Sequence, residues 1–191
     1  MRGVCTAHGA REVRTARDEA ERAALWKCRK RAFGAVGRLA PNYCTQDGVV
    51  PRTRVPEILK RIAAAAERHR LRIGNVFHAG DGNIHPCIFY DANLAGDWER
   101  AEEMGGRVLE RCVELGGTIT GEHGVGVEKL RQMCVQFRAP ELRSFHDVKA
   151  AFDPDGILNP GKAVPTLKRC AEWGGMHVRG GRLPRADIPR F

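Results

Sequence analysis

An Asp-Gly pair set between two β-prone runs constrains this chain more than any other feature. The segment His78-Ala79-Gly80-Asp81-Gly82-Asn83-Ile84-His85 follows Leu71-Arg72-Ile73-Gly74-Asn75-Val76-Phe77 and precedes Cys87-Ile88-Phe89-Tyr90. Asp-Gly so placed is the strongest short-range hairpin signal. With Asp81 and Gly82 as the two loop residues, Gly80 faces Asn83, Ala79 faces Ile84 and His78 faces His85. Directly opposed residues share one face of a sheet, with Cβ atoms roughly 4.5–5.5 Å apart. Two imidazoles so placed can share one divalent ion, and a third ligand must then come from elsewhere in the chain.

Helical periodicity flanks the hairpin. Over residues 11–38, Asp18, Glu19 and Glu21 lie early and Lys27, Arg29, Lys30 and Arg31 late, the polarity a helix dipole favours. Ala24, Leu25, Cys28 and Ala32 recur there at helical spacing, and Gly37 suits the C′ position. Tyr43 to Val50 reads as a short strand with Asp47-Gly48 as a turn or bulge inside it. Thr53 to Arg70 is a second helix, with Pro56 near its first turn and a stripe of Ile58, Leu59, Ile62, Ala63 and Ala66. A third helix takes Asp97 as N-cap, carries Met104, Val108, Leu109, Cys112 and Leu115, and ends at Gly116-Gly117.

Thr118 to Thr120 is expected to form a short strand beside the hairpin, with two shorter helices over about 127–136 and 139–151. Pro165 to Phe191 reads as an extended arm that needs a surface to lie on. The class is α+β, an antiparallel sheet covered by helices on one side. The visible strands are few, so further strands ahead of residue 1 are expected. Residues 1–136 form the part holding the hairpin, and 137–191 a helical segment with the arm.

A length of 191 residues suits one domain of ordinary size or slightly more. No run approaches the roughly 18 consecutive apolar residues of a membrane span, and no apolar stretch at the N-terminus suggests a signal peptide. Seven cysteines without a CxxC pair are read as reduced thiols in a cytoplasmic protein. The net charge of +9 sits at the ends: ten Lys/Arg against four Asp/Glu over 1–38, and seven against two over 162–191. With aromatics at 6% and no binding motif, this excess is assigned to a solvated face, an acidic partner or an anionic cofactor, and not to nucleic acid.

Glu122, within Gly121-Glu122-His123-Gly124, is the candidate third ligand, since its flanking glycines allow tight backbone. Two imidazoles and one carboxylate leave an open position on Zn²⁺, Mn²⁺ or Fe²⁺, as a catalytic ion requires. Such an ion would hold a substrate bearing a hydroxyl and a carboxylate on adjacent carbons. His123, adjacent but expected to point elsewhere, is the candidate general base. Each residue also has a plainer reading. A strand histidine is commonly a hydrogen-bonded core residue, Glu-His pairs are common on surfaces, and Asp81 suits a turn by its Asx chemistry. Asn159 before Pro160 suits a loop, and Arg29 amid Lys30 and Arg31 suits a solvated helix face or a carboxylate grip.

The strings His78 to Pro86, Gly117 to Gly126 and Asn159-Pro160-Gly161-Lys162 together closely resemble the C-terminal half of FAD-linked 2-hydroxyacid oxidoreductases of the vanillyl-alcohol-oxidase type. The likeness is greatest to the glycolate oxidase and D-lactate dehydrogenase branch. Leu25-Trp26-Lys27 through Pro51-Arg52, and the closing Cys170 to Phe191, extend it over nearly the whole chain. The resemblance implies a ferredoxin-like substrate (cap) domain truncated at its N-terminus. It implies His78, His85 and Glu122 as ligands of Zn or Mn, and His123 as the base while hydride passes to flavin.

It also implies Arg29 as the holder of the substrate carboxylate, and Asn159 and Lys162 in the loop nearest the flavin. No Gly-rich dinucleotide loop is present, so FAD is expected to be bound mainly by a domain outside this chain. Thr45 stands where some relatives place a substrate-binding lysine, which leaves the hydroxy acid open. The expected partners are a small 2-hydroxy acid, an FAD-binding domain or chain, and other glycolate oxidase subunits, peripheral to the inner membrane face through those partners. The competing expectation is a non-catalytic remnant or assembly module that docks on a flavoprotein.

Overall fold

The computed structural model describes residues 2–165; the arm expected over Pro165 to Phe191 lies, beyond Pro165, outside the described residues. In chain order the elements are α1 (Arg2–Ala7), α2 (Glu19–Val36), β1 (Asn42–Thr45), β2 (Gly48–Val49), a 3₁₀ turn (Arg52–Arg54), α3 (Val55–His69), β3 (Arg72–His78), β4 (Asn83–Tyr90), α4 (Asp97–Glu114), α5 (Leu130–Gln136) and α6 (Ala139–Phe152). The first expected helix is shorter at both ends. Asp18 caps it, its side chain accepting from the Glu21 N–H, and Gly37 ends it in a right-handed conformation. At α4 the cap is Gly96, not Asp97. The buried Asp97 carboxylate accepts the Asp91 N–H at 2.6 Å.

The sheet is antiparallel with β4 at its centre. β3 pairs along one edge of β4, while β1 and β2 lie end to end along the other. β1 and β2 keep one register against β4, which places Gln46 and Asp47 opposite Pro86 and His85. The Gln46 N–H donates to the Pro86 carbonyl at 3.0 Å. Proline has no N–H to return the bond. The ladder therefore breaks there and the edge reads as two strands.

Ile84 and Ile88 of β4 point to the face that the helices cover. Ile84 packs with Ile58 and Ile62 of α3 and Val108 and Cys112 of α4. Ile88 packs with Ala66, Ala101 and Met104. The stripe on α3 is Val55, Ile58, Ile62 and Ala66, and Ala63 faces solvent. Each Val, Ile or Met side chain so taken from water contributes about 1.5–3 kcal/mol. A smaller cluster of Leu109, Ile119, Met133 and Leu142 ties α5 and α6 to the back of α4. The opposite face of the sheet carries Asp47, His78, Asn83 and His85.

The hairpin differs from its expected register. His78 pairs with Asn83 and Val76 with His85, so the loop is Ala79 to Gly82, two residues longer than an Asp-Gly turn alone. The reason is Gly82, which has φ +78° and whose backbone packs against Val50, the residue after β2. A Cβ there would lie 2.0 Å from the Val50 carbonyl oxygen, and the Val50 N–H donates to the Gly82 carbonyl at 3.0 Å. Docking the turn on Val50 thus outweighs the minimal turn. Thr118 does not run beside the hairpin either. It forms a single bridge to Val49, so β2 lies between it and β4.

Among the described cysteines, Cys5, Cys28, Cys44, Cys87 and Cys112 are free thiols.

Candidate metal and substrate site

A two-residue shift of register leaves side chains on the same face, because the strand period is two. His78 and His85 are therefore diagonal neighbours instead of opposed ones, and their ring centroids are 5.4 Å apart in an edge-to-face arrangement. The loop after Thr118 brings the carboxylate to them. Glu122 Oε1 lies 2.9 Å from His85 Nε2 and 3.8 Å from His78 Nε2. One ligand atom from each of His78, His85 and Glu122 falls within 4.8 Å of the others, the spacing a single divalent ion can span.

His123 does not point elsewhere. Its ring stacks on His85 with centroids 5.0 Å apart and an interplanar angle of 16°, and its Nε2 lies 3.9 Å from Glu122 Oε1. His85 is buried, whereas His78, Glu122 and His123 are about half exposed. An open pocket of about 340 Å³ meets the cluster, lined by Val49, His78, Asp81, Asn83, Gly121 and Glu122. The Asn83 side chain is buried and its Oδ1 has no hydrogen-bond partner.

The residue that sequence reasoning missed is Asp47, taken there as part of a turn or bulge. It is wholly buried. Its carboxylate accepts from the Thr120 hydroxyl at 2.7 Å, from the N–H groups of Gly121 and His123 at 2.9 Å each, and from the Glu122 N–H at 3.2 Å. The Lys129 ammonium completes the shell at 3.2 Å and also reaches the Asp47 carbonyl at 3.0 Å. Burial alone would raise the Asp47 pKa. The donors from His123, Thr120 and Gly121 and the Lys129 charge outweigh it and hold the carboxyl well below its usual 3.8. Burial pushes Lys129 below its usual 10.5, and the facing carboxylate offsets part of that. An acidic residue inside the expected strand Tyr43 to Val50 was the available signal, since carboxylates are rarely fully buried without a partner.

The other expected site residues stand apart from the cluster. Arg29 lies on α2, which is exposed over most of its length, and Arg29 does not line the pocket. Asn159 has φ +45°, and its side-chain oxygen accepts from the exposed Lys162 ammonium at 3.4 Å. Their loop is tied to the glycine-rich loop by one bond, from the Ala163 N–H to the Gly126 carbonyl at 2.8 Å.

Comparison with known proteins identifies the family of the chain. Residues 1–163 match the family of FAD linked oxidases, C-terminal domain. Glycolate oxidase subunit GlcD of Escherichia coli (strain K12) is 58% identical over 183 residues, which cover 96% of this chain and 37% of that protein. The GlcD subunit of Bacillus subtilis (strain 168) is 38% identical over 85% of the chain and 34% of its own length. The mitochondrial D-lactate dehydrogenase [cytochrome] of Arabidopsis thaliana is 30% identical over 85% of the chain and 29% of its own length. The chain thus spans 29–37% of the length of these relatives. In fold it is similar to 4-ethylphenol oxidase from Gulosibacter chungangensis, with a TM-score of 0.57 at 18% identity over 79% of this chain and 32% of that one. The antiparallel sheet, the helices on one face and the sequence match agree: this chain belongs to the C-terminal domain family of the FAD-linked oxidases.

Proposed function

We propose that this chain is the substrate-side part of an FAD-dependent 2-hydroxyacid dehydrogenase or oxidase of glycolate or D-lactate type. The observation that carries the reading is the convergence of His78, His85 and Glu122 on one point, with His123 stacked beside them. The donor set fits Zn²⁺ or Mn²⁺: two imidazoles and a carboxylate, one ring buried, with a pocket alongside. When bound, such an ion supplies polarisation of the substrate hydroxyl oxygen, and FAD, held mainly by residues outside this chain, supplies the hydride acceptor.

The chain's own residues do the rest. The pocket orients the hydroxy acid against the His78–Glu122 wall. His123 accepts the hydroxyl proton as general base. Arg29 binds the substrate carboxylate, and Asn159 and Lys162 line the approach to flavin, roles supported by the family resemblance. Arg29 reaches the pocket in this reading only when α2 is packed by the FAD-binding part. The setting is the cytoplasm, at the inner membrane face through other subunits; no helix among the described residues is long and apolar enough to cross a membrane.

Metal analysis tests the proposal. The purified chain is expected to hold one Zn or Mn, and His78→Ala and His85→Ala to lose it. In the protein joined to its flavin-binding part, His123→Asn is expected to lower the rate of D-lactate or glycolate oxidation by about 10²–10⁴-fold while the ion is kept. A wild-type chain that takes up no ion would sink the metal site.

A second reading is an assembly module without chemistry of its own. It is favoured by α2, where Arg22, Lys27, Lys30 and Arg31 surround the exposed Trp26 on one helix. Tight association with a flavoprotein, without bound metal, would support it.

A further inference from the structure

We propose that Asp47 is the positioning residue of the site, building the ligand set from one buried carboxylate before any ion arrives. The inference rests on the metal reading of the same cluster. Asp47 acts on two arms at once. On one side, three successive N–H groups, from Gly121, Glu122 and His123, converge on its carboxylate, and the Thr120 hydroxyl joins them. Thr120 Oγ1 in turn accepts the Gly124 N–H at 2.9 Å, so the turn is closed at both ends. A loop with this many glycines has little stiffness of its own. The anion inside it fixes the backbone from which Glu122 and His123 project.

On the other side, Asp47 stands opposite His85 across the sheet. Its Oδ1 is 4.0 Å from His85 Nδ1, an atom that is buried and has no hydrogen-bond partner. The opposite nitrogen of the same ring, Nε2, faces Glu122 at 2.9 Å. A ligating histidine is held in one tautomer by the acceptor behind it, and Asp47 is the carboxylate on that side. At 4.0 Å the contact between the two atoms is electrostatic. Lys129 makes this arrangement tolerable, because a buried carboxylate without a cation is costly. Lys129, Asp47, His85 and Glu122 thus form one line of alternating partners from the core to the pocket.

The test is metal affinity on the full chain, measured by competition with a chelator using Zn²⁺, and by the visible spectrum after loading with Co²⁺. Asp47→Asn keeps size and loses charge and one acceptor. It is expected to weaken Zn²⁺ binding by about 10–100-fold and to alter the Co²⁺ bands. Leu71→Ala, in the separate core cluster with Ala66, Ala101 and Met104, serves as a control for stability alone and is expected to leave the affinity unchanged. Should Asp47→Asn fail to fold, Thr120→Val removes one donor to the carboxylate and is expected to weaken binding in the same direction. Wild-type affinity and spectrum in a folded Asp47→Asn, or in Thr120→Val where Asp47→Asn does not fold, would overturn the inference. Absence of binding in the wild type would instead overturn the metal reading beneath it.

Discussion

Glu122 Oε1 sits 2.9 Å from His85 Nε2, joining a ring that is 5% exposed to a carboxylate that is 55% exposed. One partner is anchored in the sheet, and the other is reached by solvent and by anything in the pocket. The site is therefore rigid on its core side and open on the other. That asymmetry suits a group that must hold a ligand and release a product.

The core behind the sheet bears the stability. Ile62 is fully buried between α3 and β4. Ile62→Ala is expected to lower the unfolding free energy by about 2–5 kcal/mol. Val148→Ala, at a position 59% exposed, is expected to stay within about 0.5 kcal/mol. Chemical denaturation of the two variants checks both.

Gly82 is tied to its place by conformation and by space. With φ at +78° and a Cβ position 2.0 Å from the Val50 oxygen, Gly82→Ala is strained twice. It is expected to cost at least about 1–3 kcal/mol. Because the same turn carries His78 at its edge, Zn²⁺ affinity is expected to fall with it. Gly80→Ala, where added bulk meets open space, is the control.

Acid sensitivity follows from Asp47. Its carboxyl lies below 3.8 in the folded chain and near that value once unfolded. The unfolded chain therefore takes up the proton first as pH falls. The stabilisation is complete above the usual carboxylate range and is lost as pH drops through it. Unfolding free energy measured between about pH 6 and pH 3 is expected to decline in the wild type and to decline less steeply in Asp47→Asn.

Thiol reactivity should follow burial. Burial, helped by the nearby Glu128 charge, pushes the Cys44 thiol up to about 11, and burial pushes Cys112 up to about 12. Cys28 is exposed on α2. Iodoacetamide near neutral pH is expected to label Cys28 first and to spare Cys44, Cys87 and Cys112 until denaturant is added, as mass spectrometry of peptides would record.

Patterns of short range were legible in the sequence. The stripes on α3 and α4, the hairpin and its two histidines, and the loop that carries Glu122 all follow from periods and turn chemistry that act over a few residues. The pairing of His78 with Asn83 was not legible, because Gly82 docks against Val50, a residue distant in the chain. The shared face survived the error, since a shift of two residues preserves it. Tertiary structure alone decided the place of Asp47 and the stacking of His123 on His85. A buried carboxylate takes its meaning from the donors that surround it, and those donors come from a loop far along the chain that meets Asp47 only when the sheet has formed.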